Sequence, residues 1–170
     1  MGIRKWAGFG VAVTLIILVL GAFVWWTSRP VALNAAELTP AGEGTSWPGT
    51  ELSLNLTKYT LELTFVNDSS QAFYHGDPPD YCGLEVQSDG AWYQVPHKDY
   101  STAGVGAVTG PGERFTFKPN LSPYGTLPDG QYRISFGYWK DETPLADTPA
   151  GVLYARFNRA DGGYVLPNMP

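Results

Sequence analysis

Apolar and polar positions alternate in several short runs of this chain, and one long stretch near its start is almost wholly apolar. Ala7 to Trp26 is an uncharged, predominantly apolar run of twenty residues. At ~1.5 Å rise per residue, such a run spans the ~30 Å hydrocarbon core of a bilayer as a helix. Trp6 stands at one end and Trp25 with Trp26 at the other, where indole rings favour the lipid–water boundary. Arg4 and Lys5 precede the run, and Arg29 is the one basic residue close behind it. The positive-inside tendency therefore predicts a cytoplasmic segment 1–6, a transmembrane helix 7–26 and everything else outside the cytoplasm. A cleaved signal peptide is the competing reading. It would have an apolar core of only ~7–15 residues and a small-x-small site beyond it. The nearest such triplets, Leu33-Asn34-Ala35 and Asn34-Ala35-Ala36, fit poorly. No cysteine ends the run, which excludes a lipoprotein signal, and Trp6 occupies the position where myristoylation needs Ser or Thr.

Residues 27–50, rich in Ala, Gly, Pro, Thr and Ser, read as a flexible linker. Period-two alternation then begins. Leu52, Leu54 and Leu56 alternate with polar residues, and so do Tyr59, Leu61, Leu63 and Phe65. Asn67-Asp68-Ser69-Ser70 is a turn cluster. Tyr81–Gln87 and Ala91–Val95 flank Ser88-Asp89-Gly90, the signature of a tight hairpin. Glu113–Lys118, Gln131–Trp139 and Val152–Asn158 complete about seven strands. His97–Gly112 and Lys140–Gly151 read as long loops. The expected fold is all-β: a sandwich of about seven strands over 51–160, with a tail at 161–170, preceded by the single N-terminal helix.

Charged residues make up only 16% of the chain and aromatics 14%, which favours a packed β domain over disorder. From Pro30 onward there are eight Lys and Arg against sixteen Asp and Glu, a balance of −8. Such a surface repels nucleic acid. The single cysteine, Cys82, permits no internal disulfide. It reads as a small buried apolar residue rather than a catalytic thiol.

The stretch Leu127-Pro128-Asp129-Gly130-Gln131-Tyr132 is a turn feeding a strand. Leu127, Gly130 and Tyr132 are the expected structural corner, with the tyrosine hydroxyl bonded back to the backbone upstream, as at the start of the sixth strand in immunoglobulin-like sandwiches. Other motifs follow in order: Asn67-x-Ser69, Tyr74-x-Gly76, Gly90-Ala91-Trp92-Tyr93-Gln94-Val95-Pro96, Gly110-Pro111-Gly112-Glu113 and Tyr124-Gly125-x-Leu127-Pro128-x-Gly130-x-Tyr132-Arg133-Ile134. Over about Tyr59 to Tyr138 the chain resembles a bacterial immunoglobulin-like domain family of exported, membrane-anchored proteins. The resemblance implies a sandwich fold and an extracytoplasmic place, and no shared catalytic residues. In disulfide-bearing relatives a cysteine would stand at Ile134, opposite Leu61 or Leu63; an apolar pair replaces it here.

Candidate chemistry is sparse. His75-Gly76-Asp77 and His97-Lys98-Asp99 would form a metal site only if their loops met, and they match no zinc spacing. A metal-dependent hydrolase using His75 and His97 is thus the least favoured function. Asp77 with Asp80, and Asp141 with Glu142, read as solvated loop carboxylates. Gly104–Gly110 lacks both the dinucleotide and the P-loop patterns. The sequons at Asn55, Asn67 and Asn120 are read as chance. Tyr74, Tyr81, Tyr100, Tyr124 and Trp139 lie in or beside loops and are the candidate recognition aromatics. The expected function is a non-catalytic, membrane-tethered binding or accessory module without cofactor, whose partner is a protein or a cell-envelope ligand. The alternative is a sensor or structural ectodomain working with a membrane partner, through a small-residue helix face at Gly8, Gly10 and Ala12.

Overall fold

The computed structural model describes residues 16–20, 33–76, 82–98, 106–140 and 148–167. The chain divides into a unit of residues 1–31 and a unit of residues 32–170. In the first unit, residues 16–20 are helical. The rest of the span expected at 7–26 lies outside the described residues. Among the described residues no helix is long and apolar enough to cross a membrane.

The second unit contains ten described strands rather than about seven. They are β1 (Thr50–Leu56), β2 (Leu61–Asn67), β3 (Phe73–Gly76), β4 (Cys82–Ser88), β5 (Ala91–Gln94), β6 (Gly106–Thr109), β7 (Glu113–Phe117), β8 (Gly130–Tyr138), β9 (Gly151–Ala160) and β10 (Gly163–Val165). β1-β2-β7 form one sheet, β10-β9-β8-β4-β5 a second, and β3-β6 a two-stranded ribbon, all antiparallel. The strand order places β2 beside β7 and β8 between β4 and β9, so the chain crosses between sheets on its way from β2 to β4 and from β5 to β8.

Alternation drives the packing. Leu61, Leu63 and Phe65 of β2 point inward, as do Tyr132, Ile134, Phe136 and Tyr138 of β8. The sheets meet through aromatic rings. Phe136 lies 5.2 Å from Phe65 and 5.3 Å from Phe117, centroid to centroid. Burying each such ring contributes roughly 1.5–3 kcal/mol. Leu61, Leu63 and Ile134 all belong to this core.

Four departures from the alternation have local causes. Tyr59 belongs to no strand: Thr57 and Thr60 close a turn through Thr57 N–H to Thr60 O at 2.9 Å, leaving Tyr59 73% exposed. The stretch expected as a loop from His97 contains β6, recruited by β3 with His75 opposite Ala107. The sandwich does not stop at 160. Asp161 (φ 50°) and Gly162 (φ 70°) make a turn like that of Asp89 (φ 50°) and Gly90 (φ 80°), and β10 follows. Residues 33–49 of the expected linker are bonded to the domain. Gln94 N–H donates to Thr39 O, Ala41 N–H to Trp92 O and Val152 N–H to Thr45 O. Trp47 N–H donates to the Tyr138 hydroxyl at 2.8 Å. This strap covers the outer edge of β5 and supplies partners to otherwise open strand edges.

Candidate functional site

The sequence-derived candidates do not converge. At the corner, Tyr132 Oη donates to Pro128 O at 2.9 Å, Leu127 is buried and Gly130 opens β8. Burial pushes the Tyr132 phenol up to about 12, against the pull of nearby Arg159. Tyr124, expected as an exposed recognition residue, is only 7% exposed and packs in the core. Its η-hydroxyl reaches the carbonyl of Cys82 at 3.4 Å. Tyr74 and Trp139 are half-buried and joined by two backbone hydrogen bonds of 2.8 Å. Tyr81 and Tyr100 lie outside the described residues.

The two histidines have different surroundings. His75 is not a loop residue but a core residue of β3, fully buried. Its Nε2 pairs with Thr109 Oγ1 at 2.8 Å and its ring lies 4.4 Å from that of Phe115. His97 is exposed and rests edge-on against Tyr124. Among the described residues no three His, Cys, Asp or Glu are grouped to hold a metal ion; Asp77, Asp80, Asp99, Asp141 and Glu142 lie outside them. Burial pushes the Cys82 thiol up to about 12, so it carries almost no thiolate at neutral pH. Asn67 is fully buried; its Nδ2 donates to Gln71 O, Thr109 O and Gly110 O. It serves the fold, as a polar pin between two turns.

The built feature lies on the outer face of the five-stranded sheet. Glu85 of β4 stands opposite Arg133 of β8, which stands opposite Arg156 of β9. Arg133 is 1% exposed, and its Nε donates to Glu85 Oε2 at 2.5 Å. Its Nη2 donates to Gly42 O at 3.0 Å. The guanidinium lies 3.8 Å from the Tyr154 ring centre and 4.6 Å from that of Trp92. Tyr154 Oη also donates to Gly42 O, so the strap closes over the pair. Burial raises the Glu85 carboxyl above its ordinary range, opposed by the hydrogen bond and charge of Arg133. Trp92 packs against the guanidinium of this pair.

Beside it runs a groove of about 580 Å³, lined by Gln87, Trp92, Gln131, Arg156, Asn158 and Leu166 among others. Trp92 faces Gln87 across β5 and β4. Gln131 faces Asn158, which faces Val165. A row of neutral amides thus ends in an indole on one side and in exposed Val165 and Leu166 on the other. Such a surface offers hydrogen bonds and a flat apolar platform, and no nucleophile–base pair.

Sequence reasoning missed this face. The available signal was a charge inside each of two apolar runs, Leu84-Glu85-Val86 and Tyr132-Arg133-Ile134. A family model described as a bacterial Ig-like domain matches residues 48–148. No curated protein and no solved structure matches.

Proposed function

The chain belongs to the bacterial Ig-like domain family, and from that premise we propose that it is a non-catalytic binding module held outside the cytoplasm by the apolar segment 7–26. The observation that carries the reading is the groove beside Arg133. Trp92 packs against a buried ion pair, so a ligand meets a platform that is already ordered. Preorganisation of this kind raises affinity by lowering the ordering cost. The amide row and indole suit a partner of the cell envelope that offers hydroxyls or amides at a flat face. The uncharged run and its basic N-terminal flank support the tether and its orientation.

The test uses the full chain in detergent micelles, sedimented with purified cell-envelope fragments. Co-sedimentation should be saturable and should weaken about tenfold with Trp92→Ala or Gln131→Ala. Envelope binding that both substitutions leave intact would remove the groove from the reading. Protease digestion of the domain on intact protoplasts tests the orientation; complete protection there would refute it.

A further inference from the structure

We propose that a second recess, at the corner end of the sandwich, binds a carboxylated sugar. It measures about 410 Å³ and is lined by residues of the β1–β2 turn, the β7–β8 connection, β9 and β10, including Tyr59, Lys118, Ser122, Thr126, Arg159 and Tyr164. It shares no lining residue with the groove beside Arg133.

Charge identifies the ligand class. In a domain with a balance of −8, this recess gathers two of the eight cations. Lys118 is shared with Glu62 at 3.8 Å. Among the described residues Arg159 has no such partner: no carboxylate stands within 4.0 Å, its Nε is buried without a hydrogen bond, and its guanidinium carbon lies 5.8 Å from the Tyr164 ring centre. Asp129, the acid of the adjoining turn, accepts the Asp161 amide. The recess is lined by these two cations and by no carboxylate of the described residues, in surroundings that Asp129 and Asp161 keep acidic. That setting repels a dianionic phosphate more than a monoanion. A planar guanidinium fork fits a planar carboxylate through two parallel hydrogen bonds.

The remaining lining describes what carries the carboxylate. Tyr59 is 73% exposed at the rim, with the Lys58 ammonium 5.4 Å from its ring centre. A phenol ring beside exposed Thr126 and exposed Ser122, whose hydroxyl donates to Asn120 Oδ1 and keeps its capacity to accept, matches a pyranose: a C–H face for the ring and hydroxyls for the hydroxyls.

The experiment titrates the full chain in detergent micelles with an oligogalacturonate, and in parallel with its methyl ester, which keeps the skeleton and loses the charge. Binding of the acid, at least tenfold weaker binding of the ester, and weakening with added salt are expected. Arg159→Gln should lower affinity for the acid by about tenfold or more. Tyr59→Ala should weaken acid and ester alike. Lys118→Gln and Tyr59→Ala alter exposed side chains, so they keep the test decisive if Arg159→Gln fails to fold. Equal binding of acid and ester would overturn the proposal, as would full affinity in the folded variants or no binding of either sugar. Displacement by inorganic phosphate as effectively as by the acid would also overturn it, leaving an unselective anion site. The groove reading survives each of these failures, because it is read from envelope sedimentation and its Trp92 and Gln131 variants.

Discussion

Single residues here act by satisfying buried polarity. The Tyr132 hydroxyl closes the corner onto Pro128, while its ring stacks on that of Phe157 at 5.6 Å between centres. Tyr132→Phe keeps the ring and removes the hydrogen bond. It should cost about 1 kcal/mol in urea unfolding, a typical net value for such a bond. An unchanged midpoint would mean that water replaces the contact. The ion pair is more exacting. Glu85→Ala leaves a guanidinium that is 1% exposed without its acid, and should cost about 3 kcal/mol or more. Glu85 also carries a pH dependence whose sign is fixed by burial. Its carboxyl titrates above its ordinary 4.5 in the folded chain, so the folded state holds that proton more tightly than the unfolded state does. Stability from this group is present at low pH and is lost as pH rises from about 4.5 through the folded value. Wild type should therefore lose stability relative to Glu85→Gln across that window; a difference that grows in favour of wild type would refute the shift.

At the scale of elements, the strap at residues 39–45 is where local sequence and tertiary structure diverge. Its Pro, Gly and Ala content reads as linker, and nothing in its own periodicity shows that β5 and β9 take up its backbone groups. What selects it is steric. A Cβ at Gly44 would stand 2.5 Å from Val152 O and 2.6 Å from the Tyr154 ring. Gly44→Val should lift the strap and cost about 1–3 kcal/mol. Amide exchange at Ala41 and Gln94, whose N–H groups lie in strap bonds, should accelerate with it. Exchange that stays slow would show that the strap tolerates the side chain. The same divergence explains the missing strands. β2, β4 and β8 carry legible alternation because one face is apolar and packs in the core, although β4 and β8 also bury Glu85 and Arg133 on the other face. β6, Gly-Ala-Val-Thr, carries none and exists because β3 offers it an edge. β10 was foreshadowed by Asp161-Gly162, the same turn chemistry as Asp89-Gly90, yet its three residues are too few for a period. The site was less legible than the fold for a related reason. Loop tyrosines look exposed in sequence, and Tyr124 is drawn inward only by the packing of the β7–β8 connection. The groove depends on cross-strand register, which a linear pattern does not encode.

The whole domain holds together without a covalent brace. Its one thiol, Cys82, is half-buried, sits opposite Phe136 in the sheet and packs against the core, so its reactivity reports the pairing of β4 with β8. The thiol is pushed from an ordinary 9.0 up to about 12 by burial. At pH 8 that lowers its thiolate fraction roughly a thousandfold relative to the unfolded chain. Direct alkylation of the native thiol should therefore be slower than that of the unfolded chain by about that factor, so labelling through opening of the sandwich dominates once opening is more frequent than about one part in a thousand. Under that mechanism the logarithm of the labelling rate rises with urea along the slope of global unfolding. Glu85→Ala and Tyr132→Phe should then accelerate labelling in proportion to their stability losses, although neither residue touches the sulfur. Labelling indifferent to urea and to both substitutions would place Cys82 in a locally mobile β4, and the sheet pairing of β4 with β8 would no longer account for its protection.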